Sequence, residues 1–242
     1  MKGFSRTCLG LGFMMIGGFS WAAQPAEAQN AGPGLTVHVY NYAGVDTKSL
    51  ANAEKTTTEI FRRLGVECRW ADVDLDRKKN HENQAGQESY DPADISQIEL
   101  ALPPGTAAQS QTWAEDAMGL AAGRGPDRTQ IYVFYSKLQP FVRALINGQV
   151  DTINSDAYPS GPVIMGHVIA HELGHILLNL ESHSPTGVMR ADWNHKDLND
   201  AARGLLNFTP QQAQAIRAEV ARRASLQAGT QSATLQLNNP GL

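Results

Sequence analysis

The chain is poor in cysteine: Cys8 and Cys68 are its only two. Cys8 falls in a leader expected to be removed, so no disulfide framework holds the mature fold. Positive charge is also scarce, with 20 Lys+Arg against 24 Asp+Glu and a net charge of −4. A basic nucleic-acid footprint is therefore not expected. Long apolar runs are missing after the first 21 residues, and no membrane span is expected in the mature chain. There is no G-x-S-x-G elbow, no G-x-x-x-x-G-K phosphate loop and no G-x-G-x-x-G after a strand. Gly119, Gly123 and Gly125 fit none of these patterns. What remains is a chain of 242 residues, 42% hydrophobic and 18% charged, enough for one domain with a sizeable core.

Residues 1–28 read as a secretory signal peptide. A basic start with Lys2 and Arg6 leads into an apolar run from Leu9 to Trp21, then Ala26-Glu27-Ala28 as a small-x-small cleavage site. A secreted or periplasmic location follows as an expectation. The domain is expected over 29–226, with a polar, disordered tail over 227–242. Cys68, in a strand-like stretch, reads as a buried inert thiol.

Leu35 to Tyr40 alternates as a strand with one core face. Thr47 is read as the cap of a helix whose apolar face carries Leu50, Ala53, Thr57, Ile60, Phe61 and Leu64, stopped by Gly65. A second strand follows over 66–73, and this strand–helix–strand opening predicts a right-handed crossover with parallel pairing. Residues 74–94 read as a solvated loop. Asp72, Asp74 and Asp76 alternate as calcium ligands do, but the glycine and glutamate of a calcium loop are missing. Further strands are expected over 95–102, over 113–122 as an edge, and over 129–135, with a short helix near 138–146. Thr209-Pro210-Gln211-Gln212 announces a last helix through a capping box, with Ala213, Ile216, Val220 and Ala224 on one face.

The chemistry concentrates in a helix over 161–178 that carries His171-Glu172-Leu173-Gly174-His175. Residues four apart lie one turn above each other, so the two imidazoles can converge on one zinc ion. Glu172 is offset by about 100° and can reach a water without being a ligand. The three fixed positions arise by chance in well under about 1% of chains this long. The rest of the helix is apolar, so it is expected to be buried. Buried histidines and a glutamate need partners, and a metal satisfies them. The competing reading is a core helix whose polar groups pair with other side chains. His167, one turn earlier, reads as a hydrogen-bonded core histidine.

Beyond the helix lie His183-Ser184 and Met189. With His171, Glu172, Gly174 and His175 they resemble the metzincin metallopeptidases, especially the matrixin branch, with a turn two residues longer. The family's turn glycine would fall at Leu178, and the neighbouring Asn179 is a residue that tolerates a left-handed turn. The resemblance implies His183 as third ligand to one Zn2+, Glu172 as general base, and Met189 in a turn beneath the metal. Glu181, Asp192, His195 and Glu219 remain alternative ligands. It also implies a zincin-like α+β fold: a mixed, twisted sheet on the active-site helix, with a smaller C-terminal helical part. Peptide or protein substrates would lie along the edge strand near 113–122. Arg190 and Tyr158 are candidates for stabilising an oxyanion, and Arg190 pairing with a surface acid is the simpler reading. The function expected is a zinc-dependent peptidase. The alternative is a non-catalytic zincin-like binding domain with a structural metal.

Overall fold

The computed structural model describes residues 34–75, 97–104, 117–123, 125, 128–138, 159–179 and 183–237. The expected leader, the loop around 74–94 beyond Leu75, the helix near 138–146 beyond Leu138, Tyr158 and Glu181 lie outside the described residues.

Five strands form one sheet: β1 (Gly34–Tyr40), β2 (Glu67–Asp72), β3 (Gln97–Ala101), β4 (Gly119–Ala122) and β5 (Gln130–Val133). Their order is β2-β1-β3-β5-β4. The first four in that order run parallel, and β4 closes the edge antiparallel to β5. The sheet is therefore mixed and the fold is α+β, as expected. Helix α1 (Thr47–Arg63) connects β1 and β2, which pair in parallel as predicted. Its cap is Asp46 rather than Thr47: the Asp46 carboxylate accepts from the Ser49 amide at 3.0 Å. Gly65, at φ +75°, supplies the left-handed residue that ends it.

The period-2 pattern of β1 puts Leu35, Val37 and Val39 in the core, where Ile98, Leu100, Ile131 and Val133 join them. Against that face pack α1 and the second helix, α2 (Gly161–Leu177). Fourteen consecutive α2 residues, Ile164 to Leu177, are buried. A helix that is apolar all round must be enclosed all round. Thr57 ties α1 to α2 by donating to the Gly166 carbonyl at 2.9 Å. Cys68 is buried and its thiol is pushed up to about 12 by burial, with Glu67 adding to it.

The C-terminal part holds α3 (His195–Ala202) and α4 (Pro210–Leu237). The capping box of α4 is formed: Gln212 accepts from the Thr209 amide at 2.9 Å, and Thr209 accepts from the Gln212 amide at 3.3 Å. Helix α4 continues to Leu237, beyond the face expected to end at Ala224. Its buried stripe runs Ile216, Val220, Arg223, while Ala224 faces solvent. The stripe ends on a cation because Glu219, one turn back, lies 2.7 Å from the Arg223 guanidinium. Among the described residues no helix is long and apolar enough to cross a membrane.

Candidate metal centre and cleft

Helix α2 aligns His171 and His175 one turn apart, and their Nε2 atoms stand 3.1 Å from each other. The chain leaves α2 through Asn179, whose φ of +49° is the left-handed turn expected of it. It returns at His183, whose ring centroid is 5.2 Å from that of His171 and 4.9 Å from that of His175. One ligand atom from each of the three rings falls within 4.8 Å of the others. Among the described residues this is the one group able to hold a metal ion. His171 and His175 are buried and His183 is exposed.

The tautomer of His171 is set from behind. Its Nδ1 donates to the Val188 carbonyl at 2.7 Å, leaving Nε2 as an acceptor facing the other rings. Trp193 Nε1 donates to the same carbonyl at 3.2 Å and packs edge-on against His171. Burial pushes His171 down to about 4, against the Val188 hydrogen bond, and the neighbouring His175 and His183 push the same way. Two imidazole nitrogens 3.1 Å apart in a buried site suit a cation between them. Tetrahedral zinc with nitrogen ligands at ~2.0 Å separates them by about 3.3 Å. The donor set therefore fits zinc.

Val188 and Met189 are fully buried in a turn closed by Ser184 N–H to Met189 O at 2.8 Å and Arg190 N–H to Gly187 O at 3.1 Å. Met189 Sδ packs on α2 at Gly174, where a Cβ would collide with the sulfur and stand 2.8 Å from Phe208. The motif's glycine is thus where the turn presses against the helix.

Glu172 points toward the sheet edge. The Ala121 amide donates to its carboxylate, and a Cβ on Gly119 would stand 2.6 Å from its Oε1. Burial pushes this carboxyl up to about 8, and the Ala121 hydrogen bond opposes that. Glu172 and the three histidines line one cleft of about 530 Å³, bounded by β4, Arg128, Arg190 and Trp193.

The other candidates sit as follows. His167 is a core residue: Nδ1 donates to the Val163 carbonyl at 2.8 Å and the ring meets Trp193 edge-on. Arg190 lines the cleft, but its guanidinium pairs with Asp197 at 3.2 Å. Asp192 borders the cleft, and His195 opens α3; neither belongs to the metal-holding group. Glu219 is engaged with Arg222 and Arg223, so it is no ligand. Three contributors went unread in the sequence: Gly119, Arg128 and the Trp193 hydrogen bond. Gly119 opens a strand of only four residues, and nothing local in Pro126-Asp127-Arg128 marks an arginine that becomes buried.

No protein-family model matches the chain, and no curated protein does. Among solved structures, the chain is similar to archaemetzincin from Methanopyrus kandleri, known from a 1.5 Å crystal structure, at 14% identity, over 78% of this chain and 97% of that one, with a TM-score of 0.43.

Proposed function

We propose that the chain is a secreted, zinc-dependent peptidase of the zincin type, with His171, His175 and His183 as ligands and Glu172 as general base. The reading rests on one observation above all: three imidazoles converge within 4.8 Å in a cleft that also holds the buried Glu172 carboxylate. When bound, zinc supplies Lewis acidity that activates water near neutral pH.

The chain's own residues supply the rest. Val188 holds His171 in the tautomer that turns Nε2 inward. The Ala121 amide and the bare backbone at Gly119 aim Glu172 into the cleft. Its carboxylate accepts a proton from the attacking water and returns it to the leaving amine. Among the described residues β4 ends the sheet, and an extended peptide added along that edge would run beside the histidines that line the same cleft. A structural metal needs no base beside it, so Glu172 in the cleft favours catalysis over the non-catalytic alternative.

The decisive experiment is metal analysis of the purified mature protein, joined to hydrolysis of a mixed peptide library read by mass. One zinc per chain and chelator-sensitive cleavage are expected. Glu172→Gln retains the zinc and loses turnover. Full activity in Glu172→Gln removes the base, and zinc retained in His183→Ala removes the third ligand.

A further inference from the structure

Two arginines are buried near the C-terminal end of α2, and they are not alike. Arg223 is 1% exposed and has its counter-ion, Glu219, at 2.7 Å. Arg128 is 8% exposed, and among the described residues no carboxylate is paired with it. Its Nη2 donates to the His175 carbonyl at 2.6 Å, and its Nε is enclosed with no acceptor. A guanidinium carries five N–H donors in a planar fork, and this one spends a single bond. The His175 carbonyl sits at the negative end of the α2 dipole, which offers only roughly half a charge against a full one. Burying a cation without an anion is strongly unfavourable. Arg128 is nevertheless held there, its backbone carbonyl accepting from Arg223 at 3.1 Å. It also lines the cleft of the three histidines, whose other cation, Arg190, is already engaged with Asp197.

We infer that Arg128 is an anion-binding residue of this cleft, and that the substrate carries a carboxylate which completes the ion pair on binding. The inference deepens the peptidase reading and rests on it for the nature of the ligand. A carboxylate is the planar, two-oxygen partner that a guanidinium fork matches. A peptide can offer it from an acidic side chain or from a free C-terminus.

The test uses three N-acetylated peptide designs of equal length: a neutral alanine–glutamine peptide amide, the same with one glutamate in place of glutamine at each position in turn, and the neutral peptide with a free C-terminal carboxylate in place of the amide. Binding is measured calorimetrically on the zinc-loaded and the chelator-treated protein in the Glu172→Gln background, and hydrolysis on the parent protein. A carboxylate peptide is expected to bind about ten-fold more tightly than its neutral counterpart. Which design gains identifies the source. Arg128→Gln abolishes the discrimination. Arg128→Lys, which keeps a cation and can still reach the His175 carbonyl, retains a reduced part of it, and it decides the matter if the Gln variant does not fold. Equal binding of charged and neutral peptides overturns the inference. So does discrimination that survives in Arg128→Gln, that is undiminished in Arg128→Lys, or that disappears with the zinc. Discriminating binding without any hydrolysis overturns the peptidase reading and leaves the Arg128 site standing. Hydrolysis without discrimination does the reverse.

Discussion

Gly119 and Glu172 occupy nearly the same space: a Cβ added to the glycine would lie 2.6 Å from Oε1 and 2.7 Å from Cγ of the glutamate. The edge strand and the candidate base are thus built as one unit, since Ala121, two residues on, donates its amide to the same carboxylate. Gly119→Ala forces the strand or the carboxylate to move by several tenths of an ångström. Misplacing a reacting group on that scale is costly to catalysis. We expect kcat to fall about 10–100-fold, corresponding to about 1.4–2.7 kcal/mol, with KM changed less and zinc content unchanged. Steady-state kinetics with metal analysis checks this; a change in KM alone would mean that Gly119 serves substrate binding instead.

Gly174 makes the matching contact on the other side of α2. An alanine there drives its methyl into Met189 Sδ and the Phe208 ring, both within the packed core. Overpacking of this kind costs about 1–3 kcal/mol. Thermal unfolding of Gly174→Ala should show a lowered midpoint. Met189→Ala in the same background should relieve the clash, so the double variant should lose less than the sum of the two single changes.

These two glycines show what could be read in the sequence and what could not. The pair His171 and His175, with Glu172 beside them, is legible because a helix fixes their geometry locally: spacing alone puts both rings on one face. Asn179 and the capping box at Thr209 are legible for the same reason, each being a rule of backbone geometry. His183 needed a family resemblance, because a turn between ligands has no period to count. Gly119 and Arg128 escaped because their roles come from contacts made across the chain, to Glu172 and to the His175 carbonyl. The full extent of α4 was not legible in the polar composition after 227, although alanine and glutamine are good helix formers. The cap at Asp46 instead of Thr47 is a one-residue choice between two capable side chains.

Zinc removal has a thermodynamic reading independent of any substrate. A ligand that binds only the folded state stabilises it by RT ln(1 + [L]/Kd), about 2.7 kcal/mol at a hundred-fold excess over Kd. For a domain of this size that corresponds to about 5–10 °C in the unfolding midpoint. Chelation should lower the midpoint of the zinc-loaded protein by that amount. His175→Ala should unfold at one temperature with and without chelator, in calorimetry at matched protein concentration. Equal midpoints for the parent protein in both conditions would argue against a folded-state zinc site.

Glu54 gives a pH-dependence that involves no residue lining the cleft. It lies on α1 with Oε1 enclosed and unpartnered, and burial, with repulsion from Asp72 added, raises it to about 7 from an ordinary value of 4.5. An acid whose pKa is higher folded than unfolded binds its proton more tightly in the folded state. Its protonated form therefore contributes stability that is fully present below about 4.5 and is lost as pH rises through about 7. Above that window the fold holds a carboxylate that it solvates poorly. Glu54→Gln removes the charge and keeps the shape, so the variant should match the parent near pH 4 and exceed it at pH 8. The side chain is half-buried and solvent screens part of the cost, so the gain expected at pH 8 is about 1 kcal/mol. Denaturant unfolding of both proteins at the two pH values measures it. A variant that gains equally at pH 4 and pH 8, or loses at pH 8, would show that the Glu54 carboxylate is paired in solution and that the repulsion from Asp72 does not govern it.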